Sequence, residues 1–190
     1  AGDWAAALEL VRGALERKIV SPVVAERSRA ALLAASAASL VNAHDPKSRA
    51  QALDFATQSV KLKPDFAPGV VMAARLLAED GKTAKASGLI ETAWKAEPHP
   101  ALWLAYRDLK TNETPKARAQ RLAALAALKP EARESRLLRV ESALIGGDPV
   151  AARAAARLLD DEAPTARFAG LMARVAAANG DADEARAWIA

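Results

Sequence analysis

Residues 67–100 read APGVVMAARLLAEDGKTAKASGLIETAWKAEPHP, and this stretch decides the fold. Val70, Ala73, Ala74 and Leu77 recur at i, i+3, i+4 and i+7, the spacing that puts side chains on one helix face. Ala86, Leu89, Ile90 and Ala93 repeat that spacing a few residues later. Gly81 lies between the two runs, where a helix that must turn back favours a residue tolerant of the left-handed region. Pro98 closes the stretch, because proline cannot continue a helix and biases the preceding residue away from one. The stretch therefore predicts a helical hairpin of 34 residues whose apolar stripes one pair alone cannot bury.

The same punctuation recurs along the chain. Pro64, Pro98, Pro130 and Pro164 are separated by 34, 32 and 34 residues, and Gly81, Gly147 and Gly180 by 66 and 33. Five residues after each glycine stands an alanine, Ala86, Ala152 and Ala185, small enough for paired helices to approach closely. Asp148 and Asp181 directly follow glycines and can cap the next helix, with Asp3 in that role near the amino end. A repeat of this length implies stacked units, each leaning on its neighbours. The expected fold is all-α, a right-handed superhelix of antiparallel helix pairs forming a single repeat domain over 1–190. The expected units are 1–22 (a second helix only, over Gly2–Leu15), 23–66, 67–100, 101–131, 132–165 and 166–190. The second unit opens with a long helix over Val23–Ala43 and a loop around Asp45-Pro46-Lys47. The fourth departs most, with Pro115 opening its second helix and Arg118 in the alanine slot; the fifth holds Val140 where a small residue is expected. The last, over Ala182–Ala190, is cut short, so the chain reads as a fragment of a longer array.

Composition narrows the function. Alanine supplies 50 of 190 residues, aromatics 4%, and there is no cysteine, which removes disulfides and thiolate chemistry. Two histidines leave no Ser/His/Asp triad to nominate, and Glu131 with Glu134, or Asp160-Asp161-Glu162, flank helix ends where acids ordinarily cap. The net charge of +4 comes without a basic run or interleaved aromatics, so nucleic acid is not expected as a partner. The longest apolar stretch, Ala30–Val41, is broken by Ser36 and Ser39 and falls short of a bilayer span. No enzyme is expected.

The period, the small residues at Ala74, Ala86 and Ala93, and Gly81 and Pro98 in their slots resemble a tetratricopeptide-repeat array. More narrowly, the chain resembles the repeat region of the proteobacterial HemY family. That likeness rests on Gly2-Asp3-Trp4, on Lys63-Pro64-Asp65-Phe66-Ala67-Pro68, on Ala93-Trp94 leading to Pro98-His99-Pro100-Ala101-Leu102, and on Glu134-Ser135-Arg136. The resemblance implies a scaffold for haem-biosynthesis enzymes. It also implies an upstream anchor in the bacterial inner membrane and a soluble, cytoplasmic repeat domain that does not itself touch the bilayer. A flavin-dependent oxidase sharing the name is not implied, since the dinucleotide fingerprint is missing.

In such an array first helices line the concave face. Arg75, Arg107 and Arg174 then form a basic ladder suited to carboxylates, or else solvated surface. Trp103 and Tyr106 either share that groove or fill gaps between repeats; Trp94 reads as core. His99, between two prolines, caps or packs; the contrasting reading makes it a ligand for haem or a porphyrin precursor, with no other cofactor expected. His44 reads as a loop residue. The cut ends expose apolar helix faces that can drive self-association.

Overall fold

A computed structural model describes residues 3–42, 45–159 and 165–190. Among them the chain forms helices and no strand: α1 (Trp4–Glu16), α2 (Pro22–Leu40), α3 (Pro46–Leu62), α4 (Ala67–Glu79), α5 (Thr83–Ala96), α6 (Pro100–Asp108), α7 (Pro115–Ala127), α8 (Arg133–Ile145), α9 (Pro149–Ala156), α10 (Ala166–Ala178) and α11 (Ala182–Ala187). Arg157–Leu159 prolongs α9 as a 3-10 turn. Gly2, His44, Asp160-Asp161-Glu162 and Pro164 lie outside the described residues. The helices gather into two compact units, Ala1–Leu109 and Lys110–Ala190. The expected module over 101–131 is thereby divided, α6 belonging to the first unit and α7 to the second.

Most boundaries follow from local chemistry. Asp3, Asp148 and Asp181 each cap a helix, their carboxylates accepting from Ala6 N–H at 3.0 Å, Ala151 N–H at 2.9 Å and Glu184 N–H at 3.0 Å. Gly81, Gly147 and Gly180 have φ of 76°, 73° and 81°, as turns between paired helices require. Each closes the same two-bond motif: at the first, Lys82 N–H donates to Leu77 C=O and Gly81 N–H to Ala78 C=O. After α1 the motif recurs with Lys18 at φ 56° in the glycine slot, Ile19 N–H reaching Ala14 C=O at 2.8 Å. Pro64, Pro98 and Pro130 each stand just past a helix end.

The loop expected around Asp45-Pro46-Lys47 is instead the start of a helix. Asp45 is the N-cap of α3, accepting from Ser48 N–H at 2.8 Å, and Pro46 takes the first helical position, where its missing N–H costs nothing. Bonds from Ser48 hold the Asp45 carboxyl below its ordinary pKa. The long first helix spans Pro22–Leu40 rather than Val23–Ala43.

In the first unit α2 pairs with α3 and α4 with α5, while α6 lies against both α4 and α5. Its core is alanine-rich, with Ala37, Ala52, Ala56, Ala73 and Leu76 packed together. Small side chains bring backbones close, and Gly69 marks the tightest approach: a Cβ there would run into the Ser59 Oγ. That hydroxyl is fully buried and donates to Ala30 C=O at 2.8 Å, tying α3 to α2. In the second unit α7 pairs with α8, α8 with α9 and α10 with α11. Its core is bulkier, built from Leu137, Val140, Leu159, Phe168, Leu171, Met172 and Val175 around Ala152 and Ala156. Val140 thus fills a slot expected to be small. Ala86 and Ala152 are completely buried, whereas Ala185 is only half-buried on α11.

Candidate functional site

The first unit carries a trough between α4 and α6 of about 560 Å³. On α6 it is lined by Ala101, Leu104, Ala105 and Asp108, again i, i+3, i+4 and i+7, and on α4 by Val71, Arg75, Ala78 and Glu79. The floor is aliphatic and the rim is charged. Leu104 is 38% exposed, an aliphatic side chain open to solvent at the centre of the α6 face. The opposite face of α6 holds the helix in place by burying Leu102, Trp103 and Tyr106.

The rim charges all have partners. Arg75 donates through Nε to Glu79 one turn along α4 at 2.9 Å, and Glu79 also receives Arg49 from α3 at 2.8 Å. Asp108, whose side chain is 63% exposed, accepts from Arg107 Nε at 2.7 Å. A second hollow of about 400 Å³ beneath the Arg49 network is lined by Pro46, Arg49, Leu53, Leu76, Asp80 and Lys82.

Several expected site residues fall elsewhere. Trp103 and Tyr106 are each only 6% exposed, so they are core residues and not groove residues. Tyr106 donates its hydroxyl to Glu91 Oε1 at 2.6 Å, joining α6 to α5. Trp103 lies under Arg107, whose guanidinium carbon is 5.9 Å from the ring centroid. Trp94 is fully buried. Each of the three arginines expected as a basic ladder has an acidic partner: Arg75 and Arg107 sit beside Glu79 and Asp108 in the first unit, and Arg174 in the second binds Glu141 at 2.9 Å. Arg107 is also out of step by one residue, because the structural period on these helices is 33, which puts Asp108 after Arg75. His99 is exposed and caps α6, its Nδ1 accepting from Ala101 N–H at 3.1 Å. No cluster of three or more His, Asp or Glu among the described residues could hold a metal ion. No helix among them is long and apolar enough to cross a membrane.

The period of 33 exposes a feature the residue types alone did not suggest. At 33-residue spacing, residues 75, 108, 141 and 174 make one column of the sequence, on α4, α6, α8 and α10, as Arg, Asp, Glu and Arg; residues 68, 101, 134 and 167 make another, as Pro, Ala, Glu and Arg. In the second unit both columns close by ion pairs between α8 and α10: Arg167 bonds both carboxylate oxygens of Glu134 at 2.8 Å, and Arg174 those of Glu141 at 3.0 and 2.9 Å. The signal was present as opposite charges 33 apart, repeated two helical turns later. In the first unit the corresponding positions on α4 and α6 are Pro68 with Ala101, and Arg75 with Asp108, and this seam is the trough.

The second unit also has a lock at its first residues. Arg121 on α7 grips Glu113 in a fork, Nε to Oε1 at 2.7 Å and Nη2 to Oε2 at 2.5 Å, with side-chain exposures of 12% and 13%. The guanidinium holds the Glu113 carboxyl below its ordinary pKa, against the opposing effect of burial. Arg118, in the slot expected for alanine, points Nη2 towards Thr111 C=O at 3.4 Å.

No family model, curated protein or solved structure matches this chain.

Proposed function

We propose that the protein is an interaction scaffold whose α4–α6 trough receives a peptide or helical segment of a partner protein. The observation that carries this reading is the open, aliphatic floor around Leu104, bounded by opposite charges on a rigid helix pair. A preorganised concavity of this kind lets binding proceed without ordering the receptor, and affinity comes from burial of an apolar anchor. The helices stack as tetratricopeptide-like hairpins in a right-handed superhelix, a reading supported by the three glycine turns and by the aspartate caps that follow Gly147 and Gly180. On the HemY resemblance the partners are haem-biosynthesis enzymes, met at the inner membrane where an upstream segment anchors the chain.

The test uses fluorescein-labelled peptides tiled from haem-biosynthesis enzymes, titrated against the chain and against Leu104→Glu. The expected result is saturable binding to a small subset of peptides, weakened at least tenfold by the substitution, with unchanged thermal melting. A haem titration read at the Soret band supplies the opposing outcome. A tight, saturable shift lost in His99→Ala would replace the scaffold with a haem carrier.

A further inference from the structure

The trough's charges also specify what kind of segment fits it, an inference that rests on the reading of the trough as a binding site. We propose that its occupant presents an apolar side chain flanked by one carboxylate and one cationic group, the carboxylate meeting Arg75 and the cation meeting Asp108.

The floor of Val71, Ala78, Ala101, Leu104 and Ala105 offers no polar side chain, so a polar group inserted there would lose water without compensation. The anchor is therefore apolar. The rim carries Arg75 and Glu79 on α4 and Asp108 on α6, with Glu79 also held by Arg49 from α3. A segment with two acids would meet Asp108 and Glu79 unfavourably, and one with two bases would crowd Arg75, with Arg49 close behind.

Both rim groups are free to exchange partners. When Arg75 swings from Glu79 to an incoming carboxylate, Glu79 keeps Arg49 at 2.8 Å and is not orphaned. Asp108 is paired with its sequence neighbour, at a well-exposed site where such a pair is weak. Arg107 in turn keeps its place over the Trp103 ring. The second unit shows that side chains in this column reach across a seam, since Glu141 and Arg174 do so. Where Glu141 and Arg174 bond each other across their seam, Arg75 and Asp108 each bond a residue of their own helix, Glu79 and Arg107, and the trough between them stays open.

Three labelled alanine-rich helical peptides test the proposal, each with a central leucine flanked four residues away on either side by Glu and Lys, by two Glu, or by two Lys. Anisotropy titrations against the chain at low salt should show the mixed-charge peptide binding at least tenfold tighter than the others. Asp108→Lys should move the preference to the two-Glu peptide, and Arg75→Glu to the two-Lys peptide, both variants melting like the parent. Preferences that ignore these changes, or no saturable binding of any peptide, overturn the proposal. Leu104→Glu separates the two readings. Tenfold weaker binding of all three peptides, alongside unmoved charge preferences, removes only the charge rule. Unchanged binding in Leu104→Glu removes the trough itself as a site.

Discussion

The seam between α4 and α6 and the seam between α8 and α10 occupy equivalent places in their units, yet they are built in opposite ways. The first is aliphatic and open, with its charges turned onto their own helix or neighbour. The second is bridged by two arginine–glutamate pairs, in each of which one Nη1 donates to both oxygens of a carboxylate only 13% exposed. Their supporting cores differ in the same sense: alanine and glycine bring backbones together behind α4, whereas leucine, phenylalanine and methionine fill the space behind α10. One hairpin plan thus leaves a seam open or seals it, depending on four column residues.

The comparison breaks most readily at Gly69. A methyl group there strikes the Ser59 hydroxyl and dislodges its buried bond to Ala30, so Gly69→Ala should cost about 3 kcal/mol, as overpacking plus a disturbed buried donor. Thermal melts check this; an unchanged melt would show that the α3–α4 contact has slack. Next come Ala86→Leu and Ala152→Leu, both fully buried at hairpin contacts, each expected to cost about 2 kcal/mol. Similar losses in denaturant titrations would show that the two units share one hairpin geometry beneath their different seams.

Glu113→Gln should cost about 1–2 kcal/mol at neutral pH, the worth of a hydrogen bond to a charged group. The folded carboxyl is held below its ordinary value of 4.5, so its contribution is complete above that value and is lost as acid carries the pH through the lowered one. The gap in melting temperature between parent and variant should therefore be flat near neutrality and close at low pH. The smallest effects belong to the column charges. Glu141→Gln should lose less than about 1 kcal/mol, and less again at high salt, because Arg174 is 55% exposed. Asp108→Asn should leave melting unchanged while weakening binding of the mixed-charge peptide.

Much of the fold was legible because its punctuation is local. Glycine followed by aspartate encodes a left-handed turn and a cap within two residues, as at Gly147-Asp148 and Gly180-Asp181, while Gly81 supplies the turn ahead of Lys82 with no side-chain cap. Asp45-Pro46 was harder, since the same dipeptide suits a loop and a helix start, and only the run that follows decides between them. The site was less legible. Trp103 and Tyr106 share a helix with Leu104, and nine residues of α6 do not by themselves say which face is buried. Phase judged only roughly also placed Arg107, 32 residues after Arg75, in the position that Asp108 occupies at a spacing of 33. Gly69 hid in a Pro-Gly pair that reads as a helix entry, because its role depends on Ser59, ten residues earlier on another helix.

The two ion pairs of the sealed seam have a consequence for which changes the second unit tolerates. Reversing the sign of one member of Glu134–Arg167 or Glu141–Arg174 sets like charges face to face between α8 and α10, whereas exchanging both members of a pair restores the attraction. Each pair is therefore free to change only as a pair.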